Sequence, residues 1–271
     1  MHRQGITLRG LEVRSDEIDV RPATSREELE QAFRLVYSSY LQRGYIGPDP
    51  SGVRLSVFNA LPGTVTFVSV FEERVIATVT VVPDTPMGLP MDEIYHREVQ
   101  ELRDAGRELA EVTMLADRRR ELQRALPMLL LLMKCVFDYA TLVLEANDLC
   151  ITINPRHQTY YERYLLFKPL GELKHYPSVR NNPALAKRLD LDRVREECEG
   201  NQELVEHFFR NRTSRDLLTR RHQMTQEDLR YFLVELTSTL RNASPEARQM
   251  LRECYPACPW DEWLAEGESA C

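Results

Sequence analysis

Two uninterrupted β-forming runs, Thr64 to Phe71 and Arg74 to Val82, are separated only by Glu72 and Glu73. That spacing predicts antiparallel neighbours joined by a tight two-residue turn, although no glycine is present to ease it. Apolar residues fall at both odd and even positions of each run, so the sheet they seed must be covered on both faces. The flanking sequence supplies the cover. Leu29, Phe33, Val36, Tyr37 and Tyr40 recur at helical steps, with Thr24 or Ser25 able to cap the start and Gly44 ending the pattern. From Leu126 to Glu145 a leucine-rich stretch is apolar around nearly the whole circumference of its early turns, as a helix packed on a sheet requires.

The remaining elements follow in order. Ile18 to Ala23, Leu109 to Ala116 and Leu149 to Ile153 read as strands, with a charged helix at Ile94 to Arg103 and another helix at Thr159 to Phe167. Leu173 to Tyr176 and Ala184 to Leu189 complete the sheet. This succession predicts an α/β fold with a mixed central sheet and flanking helices. From Asp192 onward β-branched residues become scarce and lysine is absent, which marks a helical extension. Within it Thr225 and Asp228 have capping-box spacing, and Ser244-Pro245 opens a further helix. The expected organisation is an N-terminal arm (1–17), an α/β domain (18–191) and a helical extension (192–271).

Several function classes are disfavoured at once. A net charge of −7 lacks the basic field that nucleic acid requires. The longest apolar run, Ala125 to Met133, contains Pro127 and falls far short of the roughly 20 residues of a membrane span. With no secretion-type apolar segment in the first residues, a cytoplasmic location is expected. The six cysteines have no C-x-x-C spacing, so reduced thiols and no metal site are expected.

Chemistry concentrates in two places. Glu111 lies between Leu109-Ala110 and Val112 in an apolar strand. If buried, its carboxyl is pushed toward neutrality and becomes a competent general base for an amine; the competing reading is an ion pair with Arg103 or Arg107. The second place is Asn154-Pro-Arg-His157-Gln-Thr-Tyr160-Tyr161-Glu-Arg-Tyr164-Leu-Leu-Phe167, which follows a strand. It resembles the strand, asparagine, helix, tyrosine signature of GNAT-type N-acyltransferases. The resemblance implies that Tyr161 protonates a departing thiolate, and the alternative is a packed tyrosine face.

Taken together, Phe33-Arg-Leu-Val-Tyr37-Ser-Ser-Tyr40, Asp84 with Gly88-Leu-Pro-Met-Asp92, Leu102-Arg103, Ala110-Glu111-Val-Thr113 and Asn154-Pro-Arg-His157 resemble the bacterial long-chain N-acyl amino acid synthases. The likeness spans residues 18 to 191. It implies a GNAT-like, mostly antiparallel sheet and transfer of a fatty acyl group from acyl carrier protein to an amino acid. Glu111 and Tyr161 are then the expected catalytic residues, and Tyr37, Thr113, Met114, Leu115, Asn154 and His157 the expected substrate contacts. No permanently bound cofactor is implied, only the phosphopantetheine thioester of the donor. Coenzyme A is the less expected donor, because the run after the Glu111 strand has no glycine with which to approach a pyrophosphate. Its Arg118, Arg119, Arg120 and Arg124 instead suit an acidic carrier-protein surface. Two alternatives stay open: a homoserine-lactone autoinducer synthase, weakened by Met114-Leu115 where those enzymes carry Arg-Phe, and a non-catalytic acyl-carrier or lipid-binding module.

Overall fold

The computed structural model describes residues 6–8, 11–13, 18–118, 122–123, 126–210 and 212–268. Its centre is an eight-stranded sheet. The strands are β3 (Asp19–Pro22), β4 (Val65–Phe71), β5 (Arg74–Pro83), β6 (Leu109–Asp117), β8 (Asp148–Ile153), β9 (Lys168–Pro169), β10 (Lys174–Tyr176) and β11 (Asn182–Asp190). Their order is β10-β11-β8-β6-β5-β4-β3, with β9 also on β11. Every pairing is antiparallel except β6 with β8. This is the mixed, mostly antiparallel central sheet with flanking helices that the sequence predicted.

Helices cover both faces, as the doubly apolar strands demand. On one face α3 (Leu126–Tyr139) buries Met128, Leu132, Val136 and Phe137 against Phe67, Val79, Val112 and Ile151. On the other, α1 (Arg26–Gln42) buries Leu29, Phe33 and Val36 beside Val68 and Val75. Ser25, not Thr24, caps α1, its side chain accepting from the Glu28 N–H at 3.3 Å. Next along this face, α2 (Asp92–Asp104) seats Tyr95, Val99 and Leu102 against Val82 and Leu109. After β8, α4 (Gln158–Leu165) ends two residues earlier than the periodicity predicts. Leu166 turns left-handed there (φ 60°), and Phe167 folds back to bury its ring against Tyr161.

The first residues are more than an arm. β1 (Ile6–Leu8) pairs with β2 (Leu11–Val13) and with β7 (Leu122–Gln123), making a separate three-stranded sheet. These strands are two or three residues long, and β1 meets β7 across more than a hundred positions, so local alternation carries little signal for them.

The described residues between 192 and 268 form short helices joined by turns, and they add to the cores on either face of the sheet rather than forming one of their own. In the first half, α6 (Gln202–Phe209) stacks Phe208 on Phe137 of α3, with ring centroids 4.9 Å apart. Fully buried Asp138 on α3 accepts from Arg212 Nε at 2.7 Å and the Thr213 N–H at 2.8 Å, tying the extension down. The second half crosses to the opposite face, where α8 (Gln226–Arg230) begins at the Thr225/Asp228 capping box. Phe232, just beyond it, meets Phe33 of α1 edge-on at 5.5 Å. Its last two helices, α10 (Pro245–Cys254) and α11 (Trp260–Glu268), bring Leu251, Trp260 and Trp263 into the same cluster.

The β4–β5 turn has the predicted two residues, with Phe71 opposite Arg74. Glu72 and Glu73 both take positive φ, 48° and 61°, as a type I′ turn requires. A non-glycine residue pays about 1 kcal/mol or more for that region. Replacing the pair by Asn-Gly is therefore expected to stabilise the fold by about 1 kcal/mol, read as a higher urea midpoint with unchanged slope.

Candidate active site

β6 and β8 run side by side for only four residue pairs, from Leu109↔Asp148 to Val112↔Ile151. Beyond them β8 stays with β11, through Thr152 and Ile153, while β6 stays with β5. A bulge accompanies the parting. Thr113 pairs with Thr80 and Ala116 with Thr78, so Met114 and Leu115 stand opposite Val79 alone. Met114 takes φ 54°, its side chain is buried, and its Sδ accepts from Asn59 Nδ2 at 3.4 Å. An extra residue bends a strand and interrupts its ladder, and here it turns β6 away from β8.

Two cavities meet at this gap. One, of about 200 Å³, is lined by Glu111, Arg54, Phe58 and Tyr176. The other, of about 480 Å³, lies toward α3 and α4 and is lined by Leu115, Leu129, His157, Tyr160 and Tyr161. Tyr40, Thr113, Met114, Thr152 and Asn154 line both, so the opening passes between the strands from one face of the sheet to the other.

Glu111 is 2% exposed, at the wall of the smaller cavity. Its Oε2 accepts from the Met91 N–H at 2.7 Å, and no ion pair among the described residues includes it. Both arginines that could have neutralised it are committed elsewhere. Arg103 grips Asp84 and Asp92, each at 2.6 Å, and Arg107 pairs with Asp148 and Asp190. Burial therefore pushes the Glu111 carboxyl up to about 8, opposed by the Met91 hydrogen bond and reinforced by the nearby charge of Asp92. Gly88 belongs to the same support: at φ 81° it lies so close to Asp92 that a Cβ would stand 2.6 Å from Oδ2.

The other predicted residues distribute as follows. Thr113, Met114 and Asn154 border both cavities, and Leu115, His157 and Tyr161 border the larger. Asn154 caps the turn at Pro155–His157, accepting from the Arg156 N–H at 3.2 Å. His157 Nε2 accepts from Arg156 Nε at 3.2 Å. Tyr161 is buried, with Tyr160 and Phe167 edge-on at 5.1 and 5.7 Å. Its neighbour Tyr160 carries a buried hydroxyl without a hydrogen-bond partner among the described residues.

Tyr37 is not brought to this gap. Its hydroxyl donates to the Asp49 carbonyl at 3.1 Å and accepts from the Asp49 N–H at 2.9 Å, holding the loop after α1. Tyr40, one helical turn on, borders the cavities instead. Arg118 donates through Nε to the Val75 carbonyl at 2.9 Å, whereas Arg119, Arg120 and Arg124 lie outside the described residues. Arg54, Asn59 and Tyr176 were missed because they come from connections distant in sequence from the Glu111 strand. A local signal existed for Arg54: Val53, Leu55 and Val57 are buried in alternation with Arg54, Ser56 and Phe58, all three of which face the smaller cavity. Among the described residues no group of acidic, histidine and cysteine side chains could hold a metal ion, and no helix is long and apolar enough to cross a membrane.

Residues 31–190 match the family model described as N-acyl amino acid synthase FeeM. Among solved structures, the chain is similar to FeeM, an N-acyl amino acid synthase from uncultured soil microbes. The two are 32% identical, with 65% of this chain and 91% of that one covered and a TM-score of 0.57. A likeness of fold links it to BjaI, a CoA-dependent acyl-homoserine lactone synthase solved with SAM and isopentyl-CoA: 17% identity, 79% of this chain and 97% of that one covered, TM-score 0.53. No curated protein sequence matches the chain.

The raised Glu111 carboxyl has a consequence for stability. Between the ordinary carboxylate range and about pH 8 the folded chain keeps a proton that the unfolded chain has released, so stability falls as pH rises through that window. Glu111→Gln removes this contribution. Denaturation curves from pH 5 to 8.5 are expected to show the wild type losing stability relative to the variant as pH increases; parallel profiles would show that Glu111 titrates normally.

Proposed function

The chain belongs to the FeeM family of N-acyl amino acid synthases, and from that membership we propose that it moves a long-chain fatty acyl group from an acyl carrier protein to the amino group of an amino acid. Membership makes it an acyltransferase; the donor, the chain length and the roles of individual residues are our reading.

The observation that carries the reading is Glu111, a buried carboxyl without a cationic partner among the described residues, at the gap between β6 and β8. The amine enters the smaller cavity beside the ionised form of Glu111, a minor share at neutral pH that grows toward pH 8, and gives that carboxylate a proton as its nitrogen attacks the thioester carbonyl. N–H groups of the bulge at Met114 to Ala116 polarise that carbonyl. The C–N bond forms, the C–S bond breaks, and Tyr161 or solvent protonates the departing thiolate. No covalent enzyme intermediate is needed. The acyl chain occupies the larger cavity, whose walls include Leu115, Leu129 and Ile151. Each methylene buried there contributes about 0.8 kcal/mol, so the depth of the cavity selects chain length.

A carrier-protein donor is supported by the glycine-free, arginine-rich stretch from Arg118 to Arg124. Such a donor implies a cytoplasmic reaction, in keeping with free Cys135, Cys150, Cys198, Cys254 and Cys258.

The test incubates acylated carrier protein, or the matching acyl-CoA, with the twenty amino acids and reads products by mass spectrometry. Acyl amino acids are expected, formed more efficiently from the carrier protein. Glu111→Gln is expected to slow their formation by about a hundredfold or more while leaving carrier-protein binding intact. Unchanged turnover in the variant would contradict the base role, and equal use of acyl-CoA would contradict the donor assignment.

A further inference from the structure

Among the described residues lining the Glu111 cavity, Arg54 is the one cationic side chain. It also borders the open groove beside that cavity, so it stands at the mouth with Glu111 deeper in. Its backbone is fixed: Val53 and Leu55 are buried on either side, and its N–H donates to the Phe33 carbonyl at 3.1 Å. Its guanidinium, in contrast, is underused. Nη2 donates to the Ser178 carbonyl at 3.2 Å, and among the described residues no carboxylate pairs with it. Arg21, Arg103, Arg107 and Arg188 each hold carboxylates. The other acid lining this cavity, Glu93, is occupied by Ser178, whose N–H donates at 3.2 Å and Oγ at 2.5 Å. Ser178 thus engages both charges, and Arg54 keeps most of its donors for something else.

Resting on the acyl-transfer reading, we propose that Arg54 holds the α-carboxylate of the acceptor amino acid while Glu111 faces its amino group. The chemistry matches. An amino acid presents its carboxylate one carbon away from its amine, and a guanidinium binds a carboxylate with two parallel hydrogen bonds. The half-buried rings of Tyr40 and Tyr176 line the same cavity as Arg54 and Glu111, which puts the two groups around one small space. Phe58, Tyr40 and Tyr176 give that space aromatic walls, suited to an acceptor with a flat apolar side chain. Arg54 is then the residue that makes the product an acyl amino acid rather than an acyl amine.

The test compares tyrosine, tyramine and tyrosine methyl ester as acceptors for the wild type, Arg54→Gln and Arg54→Lys. Arg54→Gln is expected to raise KM for tyrosine by about 10- to 100-fold with little change in kcat. KM for tyramine, for the methyl ester and for the acyl donor should not move. Arg54→Lys should restore part of the loss, because it returns the charge without the planar fork. Equal weakening of all three acceptors, or a raised KM for the donor, would overturn the assignment. Calorimetric titration of tyrosine without donor keeps the two readings separable. Binding that Arg54→Gln abolishes supports the anchor even if no acyl transfer is found, and an absence of binding, or binding indifferent to Arg54, contradicts it.

Discussion

The structure turns on where β6 lets go of β8. Four paired residues hold the two strands together in the middle of the sheet, and then a bulge at Met114-Leu115 ends the contact. Had the pairing continued, ladder hydrogen bonds and side chains from both strands would have closed the space in which the two cavities meet. A left-handed methionine is an uncommon way to arrange this, at roughly 1–2 kcal/mol. Burial of the Met114 side chain and its contact with Asn59 offset that cost, and Asn59 is itself fixed in a capping box with Ser56. The opening is thus supported by a short turn outside the sheet, not by β6 alone.

Charge is distributed around the gap with the same economy. Below it, Arg103 binds Asp84 and Asp92, and Arg107 binds Asp148 and Asp190, so the acids at the ends of α2, β8 and β11 are neutralised. Among the described residues Glu111 receives one backbone N–H and no cation, which leaves desolvation in control of its proton. Arg54 is a cation at the cavity mouth that holds no carboxylate among the described residues. The carboxylate of an amino acid supplies the charge that Arg54 lacks, and its amine faces a carboxyl that no cation among the described residues has claimed.

What the sequence revealed was mainly local. The Glu72-Glu73 turn, the Ser25 and Thr225 caps, and the main strands and helices depend on neighbours a few residues apart, and all are found close to where periodicity and capping rules put them. Features needing distant partners were hidden. The pairing of Ile6–Leu8 with Leu122–Gln123 is one, and the choice of Tyr40 over Tyr37 at the cavities is another. Both tyrosines lie on one helix face, and only the path of the loop at Asp49 separates their roles. Whether Glu111 was a base candidate or half of an ion pair was equally undecidable from residue types, because the answer lay in which acids had already engaged Arg103 and Arg107.

Most depends on Glu111 keeping a proton well above the ordinary carboxylate range, buried at the strand gap without a counter-charge among the described residues. Carbon-13 labelling of the glutamate side chains, followed by NMR titration of their carboxyl resonances, observes that proton directly. The account predicts a glutamate resonance titrating near pH 8 that disappears in Glu111→Gln. A Glu111 resonance that titrates among the exposed glutamates would contradict it.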